Sequence, residues 1–265
     1  METCLMPSLR RGLRTFGAIV LILAALVVFW LLPAAEAARE AARRSQCVCN
    51  FCSIRLALAN YHTTYGSLPP AFVVDAQGRP AHSWRVLLLP FIEQNVLYET
   101  YDFKEPWDGL NNRKLLKQMP GVFACPSHRD AKAGLTNYVL ITGPGTAFPG
   151  ASTVRYDDIT DGTANTILAA ETISLEVPWT APIDLDIRTM SFRLNDRARP
   201  SISSKHPGGA NVVFADGSYR FLTNSAVADD LKALTTIAGG EKVDPDHLGN
   251  KQAAYHDPGK AKAAP

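Results

Sequence analysis

The sequence has almost no excess of charge of either sign: 27 Lys and Arg face 25 Asp and Glu over 265 residues. That balance removes the electrostatic basis for a nucleic-acid partner, and none is expected. Cysteine is scarce. The five, at positions 4, 47, 49, 52 and 125, are too few for a disulfide-built scaffold, though enough for one or two bridges outside the cytoplasm. Catalytic signatures are missing as well. The chain has no G-x-S-x-G elbow, no H-E-x-x-H, no phosphate-binding G-x-x-x-x-G-K-[ST] and no G-x-G-x-x-G. On this basis the chain reads as a protein that is not an enzyme. It also lacks internal repeats.

What it does have is one long uncharged run. Phe16 to Ala35 reads FGAIVLILAALVVFWLLPAA, twenty residues, enough to span ~30 Å of hydrocarbon as a helix. A buried helix of a soluble domain would need an apolar partner on every side. A cleaved signal peptide is the other alternative, since Ala34, Ala35 and Ala37 offer small residues to a peptidase. The preferred reading is a membrane anchor in contact with lipid through residues 16–35. Arg10, Arg11 and Arg14 precede it, and Arg39, Arg43 and Arg44 follow it, so flanking charge does not decide orientation. The segment before the span is too short to fold, which favours a cytoplasmic N-terminus and an extracytoplasmic remainder.

The helix predicted over residues 15–64 continues beyond the span through strong helix formers, with Pro33 as a possible kink and Gly66, Pro69 and Pro70 as terminators. Leu56, Leu58 and Tyr61 are expected on its partly buried face. Residues 83–101 read as one helix, or two around Pro90, and residues 111–118 as a short one. Strands are expected at Asn137–Thr142, Thr166–Glu171 and near Ser191–Arg193, and a short helix over 227–238. The stretch HPGGANVVFADGSYRFL, His206 to Leu222, reads as a hairpin. A two-residue type I′ turn at Asp216-Gly217 would pair Phe214 with Tyr219 and Val212 with Phe221, with all four on one face.

Several clusters suggest chemistry. His206, Asp216 and Glu171 would suit a divalent-cation site of one nitrogen and two oxygens. The same residues are also explained by turn geometry, with Gly208 and Gly209 allowing close backbone approach and Gly217 closing the turn. Asp157, Asp158 and Asp161 resemble a calcium loop, but without EF-hand spacing, and an acidic surface turn is the plainer account. Cys47, Cys49 and Cys52 form C-x-C-x-x-C. A zinc site there would need His62 or Cys125 as its fourth ligand, whereas outside the cytoplasm disulfides are favoured. Trp84, Trp107 and Trp179 suit either a glycan-binding face or a core.

LPAAEAAREAARRSQC after a basic segment and an apolar helix resembles the spine of type IV pilin-like proteins. More narrowly, His206, nine residues and then Asp216-Gly217 resemble the motif of the bacterial prepilin-type, processing-associated H-x9-D-G domain family, whose function is largely unknown. LALANYHTTYGSLPPA, SWRVLLLPFIEQNVLYE, EPWDGLNNRKLL, FACPS, GPGTAFPG, ITDGTANTIL, VPWTAP and ALTTIAGGE extend the likeness over nearly all of residues 30–243. The resemblance implies self-association or pilin-like assembly. It also implies a bridge between Cys47 and Cys125, worth about 4.5 kcal/mol in the chain-entropy account. Cys49 and Cys52 have no counterpart. One departure counts against processing: Gly17 stands where a pilin carries glutamate, which points to a permanently anchored relative.

The fold expected is α+β, a long N-terminal helix on a mainly antiparallel β head. Its segments are a cytoplasmic N-terminus (1–15), the span (16–35), the helix continuation (36–65), the head (66–242) and a disordered tail (243–265). The function expected is structural or assembly-related. A tethered binding module for a divalent cation or a glycan is the alternative, and a metal-dependent hydrolase comes third.

Overall fold

The computed structural model describes residues 6–128, 134–241, 243–244 and 247–252. The chain divides into two units, Met1–Arg43 and Arg44–Pro265. Helix α1, Met6–Tyr65, begins in the first and ends in the second.

In the first unit α1 exposes its apolar side chains, Phe29, Trp30 and Leu31 among them. Among the described residues it is the one helix long and apolar enough to cross a membrane. Beyond the apolar run, Glu36 pairs with Arg39 and Glu40 with Arg43 one turn on.

The second unit is built on a mixed sheet. Its elements follow in chain order. Strands β1 (Phe72–Val74) and β2 (Pro80–Ser83) form a hairpin, followed by short helices α2 (Trp84–Leu87) and α3 (Asn95–Thr100). A 3-10 turn over Leu89–Ile92 holds Pro90 between those helices, as the sequence suggested. The expected helix near 111–118 is a 3-10 helix, Asn112–Gln118. Then come β3 (Leu135–Thr136), β4 (Tyr138–Thr142), β5 (Ile167–Glu171), β6 (Val177–Pro178) and β7 (Leu185–Asp186). The chain closes with β8 (Gly209–Phe214), β9 (Tyr219–Thr223), α4 (Ala228–Ala233) and β10 (Gly249–Gln252). The main sheet has the order β10-β9-β8-β5-β4-β7, antiparallel except for the parallel β4–β7 pair. Strand β10 lies inside the tail expected to be disordered; residues 253–265 of that tail are outside the described residues. Near Ser191 only an isolated bridge to Ser201 forms.

Alternation in the strands gives the sheet two apolar faces. Tyr138, Leu140, Leu168 and Val213 point to one side, where Cys47, Phe51, Ile54, Ala57 and Leu58 of α1 cover them. Val139, Ile141, Ile167, Val212 and Phe214 point to the other, beneath Leu231 of α4 and Leu234 just after it. The buried stripe on α1 therefore runs 47, 51, 54, 58, at helical spacing. Leu56, expected on that stripe, is exposed.

The hairpin register differs from expectation by one residue. Val213 pairs with Tyr219, Val212 with Arg220 and Asn211 with Phe221. Gly217 N–H donates to Phe214 O, and Gly217 sits at φ 87°, so the loop has three residues closed by a left-handed glycine. The slip puts Val213 and Tyr219 on the α1 face, with Val212 and Phe214 on the opposite one. A Cβ at Gly217 would also lie 2.7 Å from Arg55 Cδ on α1, and one at Gly209 would lie 1.8 Å from Leu222 O.

One charged pair lies wholly in the core. Arg85 Nη2 is 2.7 Å from Asp184 Oδ1, and neither side chain is solvated. Arg85 also donates to Tyr138 O, while Asp184 accepts from Leu140 N and Trp84 Nε1. Burial pushes Asp184 up and Arg85 down in pKa, each opposed by its partner's charge. Asp184→Ala leaves a buried guanidinium unpaired and is expected to cost about 3–5 kcal/mol of unfolding free energy by denaturant titration. Gly217→Ala is expected to cost about 1–3 kcal/mol. Adding Arg55→Ala should recover the steric part only, leaving the backbone strain visible in the melting temperature.

Candidate metal centre

Four buried side chains converge under the sheet within the second unit. Cys47 comes from the buried stripe of α1. Cys125 follows the 3-10 turn Gly121–Phe123, Glu171 ends β5, and His206 stands in the turn before β8. Among the described residues this is the one group of His, Cys, Asp and Glu that can hold a metal ion, with all donor atoms within 4.8 Å of one another.

The separations suit a tetrahedral ion. His206 Nε2 lies 3.3 Å from Cys47 Sγ, 3.7 Å from Cys125 Sγ and 3.3 Å from Glu171 Oε1. Bonds of 2.0–2.3 Å to zinc give tetrahedral edges of roughly 3.3–3.8 Å. The sulfurs are closer, 3.0 Å apart, and both are free thiols. The pair for which a bridge was implied is thus brought together, without a bond between the sulfurs. A soft, mixed S2NO set suits zinc better than calcium or magnesium, which take oxygen ligands.

Each donor is held by a supporting contact. Glu171 Oε2 accepts both the backbone N–H (2.8 Å) and side-chain amide (3.1 Å) of Asn211. Its other oxygen, Oε1, lies 3.3 Å from His206 Nε2 and among the described residues makes no hydrogen bond, although the residue is 1% exposed. His206 N–H donates to Ser204 Oγ, and its Nδ1 lies 3.4 Å from Ser127 Oγ. A hydrogen on Nδ1 directed at that hydroxyl leaves the Nε2 lone pair facing the two sulfurs. Asn50 Nδ2 donates to the Tyr138 hydroxyl, which in turn contacts Cys47.

The two thiols share a proton unequally. The hydrogen bond with Cys47, assisted by His206, brings the Cys125 pKa down to about 6 against the opposing effect of burial. The same hydrogen bond, then burial and the Glu171 charge, push Cys47 well above the usual thiol range. One proton therefore leaves the pair readily and the second only with difficulty.

The other candidates fall elsewhere. Asp216 is not in the cluster. Its Oδ1 accepts from Ser218 N–H and its own N–H donates to Thr163 O, so it shapes the hairpin loop. Gly208, Gly209 and Gly217 belong to the turns at either end of the hairpin strands. Asp161 caps Gly239 and Gly240, Asp158 pairs with Arg155, and Asp157 is exposed, so these three do not form a calcium loop. Cys49 is exposed and Cys52 half-buried, both off the buried stripe of α1, and the His62 ring packs at a tilt against Tyr156. Trp84 and Trp179 are core residues, not a glycan face. Cysteine joining histidine and glutamate was the association that local spacing did not reveal. The expectation that the chain is not an enzyme is also corrected: a buried two-cysteine, histidine and glutamate set is equipment for metal binding or catalysis.

Fold and site together define a membrane-associated, pilin-like α+β protein with a buried centre able to hold a divalent cation. The chain belongs to the family described as "Protein of unknown function (DUF1559)", which matches residues 36–189 and 178–228. No curated protein and no solved structure matches it.

Truncating Glu171 tests the supporting shell. Glu171→Leu removes the acceptor of the Asn211 backbone N–H and side-chain amide and is expected to cost about 1–3 kcal/mol. Glu171→Gln, which keeps an acceptor, should cost less by chemical denaturation.

Proposed function

We propose that this chain is a single-pass, membrane-tethered module whose extracytoplasmic head binds a zinc-like divalent cation through Cys47, Cys125, Glu171 and His206. The observation that carries the reading is the orphaned Glu171 Oε1, a buried acceptor directed into a cluster of sulfur and imidazole donors. A buried carboxylate oxygen without a donor is costly, and a cation offsets that cost. The ion would tie α1 to β5 and to the β8 turn, the role the implied Cys47–Cys125 bridge would otherwise fill. In this reading the segment boundaries at 15, 35, 65 and 242 mark the cytoplasmic end, the span, the helix continuation and the head. The H-x9-D-G pattern then combines one cation ligand, His206, with a loop former, Asp216-Gly217. An assembly role through self-association is the finer proposal that the family resemblance supports.

The test uses the full-length protein purified in detergent under metal-free conditions and titrated with zinc. One equivalent by elemental analysis is expected, with stabilisation of about 2.7 kcal/mol when free zinc is 100-fold above Kd. Cys47→Ser with Cys125→Ser should abolish binding, and Asp216→Ala should leave it intact while lowering the melting temperature. Absence of bound metal, together with thiols that react with alkylating reagents only after reduction, would replace the cation with a disulfide. Protease accessibility in sealed vesicles checks orientation, and degradation of the head from the cytoplasmic side would overturn it.

A further inference from the structure

A second site adjoins the cation centre and shares His206 in its wall. A cleft of about 620 Å³ opens between the loop of residues 195–200 and the turn before β8, within the size range of small-molecule sites. Most of its polar lining is already committed. Ser204 Oγ donates to Gly209 O, Ser203 Oγ to Ser201 O and Ser174 Oγ also to Ser201 O. Asp196 Oδ1 accepts from Ala198 N–H, and its other oxygen lies 4.0 Å from Arg199 Nε.

Apart from the Asp196 carboxylate, the groups left over are donors, and a relay of amides orients them. Ser204 N–H must donate, so Asn195 presents its oxygen to it, at 2.9 Å. The Asn195 amide nitrogen then donates to Asn224 Oδ1, at 2.7 Å. The Asn224 oxygen is thereby engaged, which leaves its NH2 as the donor that Asn224 brings to the cleft it lines. Asn195 itself holds φ 53°, a left-handed conformation unusual for a residue other than glycine and often retained where function demands it. Beside this amide stands Arg197, which has no ion-pair or hydrogen-bond partner among the described residues and lines the same cleft. Among the described residues Arg199 is tied by one bond to Ser191 Oγ and the long approach to Asp196.

We propose that this cleft binds a small oxyanion-bearing molecule, a carboxylate or a phosphate, with Arg197 and Arg199 as counter-charges and the Asn224 amide as an oriented donor. Guanidinium forks match the planar or trigonal oxygens of both groups, and a neutral polyol would leave the cations unanswered.

Calorimetric titration of the full-length protein in detergent tests this, with inorganic phosphate and succinate as probes and glucose as the neutral control. Saturable binding of phosphate or succinate is expected, the tighter of the two identifying the preferred group. Arg197→Gln should weaken it about tenfold, the loss of one charge-assisted hydrogen bond. Asn224→Asp, which replaces the outward donor with a negative acceptor, should weaken it further. Metal content per chain should be unchanged in both variants, which separates this site from the cation centre. The Arg197 side chain has no described partner to lose, so that variant keeps the test open if Asn224→Asp fails to fold. The proposal is overturned if neither anion saturates, if glucose binds as well, or if Arg197→Gln binds like the parent chain.

Discussion

The contact on which the remainder depends is the seating of one helical stripe on one face of a sheet. Cys47, Phe51, Ile54 and Leu58 repeat at intervals of three and four residues, and all four are fully buried. A sheet whose side chains alternate offers such a stripe one continuous apolar face, and β4, β5 and β8 provide it. The first member of the stripe is a cysteine. The hydrophobic register that docks α1 therefore also delivers a sulfur to the end of β5 and the turn before β8. Packing and coordination geometry are one decision here, because a rotation of α1 that lost Phe51 from the core would also withdraw Cys47.

The polar groups under the sheet follow a related logic. Two carboxylates are buried, and they are treated differently. Asp184 has a guanidinium, an indole N–H and a backbone N–H directed at one oxygen. Glu171 has two donors on one oxygen and only the His206 ring beside the other. The first arrangement is complete within the protein. The second leaves room for something positive between carboxylate, imidazole and sulfur. That contrast within one core separates a charge answered wholly by the protein from one in a set able to hold a cation.

Much of the scaffold was legible in the sequence, because its signals are local. The long helix, the breaks around Pro90, β4, β5 and the hairpin all follow from periodicity and turn residues. The hairpin register did not follow. Asp216-Gly217 fits a two-residue loop as readily as the last two positions of a three-residue one, and the outcome depends on which face Val213 and Tyr219 must fill. The centre was legible only in pieces. Glu171 ending an apolar strand, His206 before two glycines and Cys47 on the helix were each visible. Their meeting is a property of the sheet order β8-β5-β4, which no local window contains. That Cys49 is exposed and Cys52 only half-buried could have been read from the helical stripe, since neither falls on it.

The span of chain between the donors has its own consequence. Cys47 and His206 are 159 residues apart, and Glu171 and Cys125 come from two further segments. Helix α1 is local structure and forms early, whereas the β5–β8 pairing is long-range and late. A newly made chain thus carries Cys47, Cys49 and Cys52 on one exposed helix well before their proper companions exist. During that interval any oxidant or soft metal can link neighbouring thiols in the wrong combination. Correct maturation becomes a race between sheet closure and sulfur chemistry, decided by the compartment in which the chain first emerges.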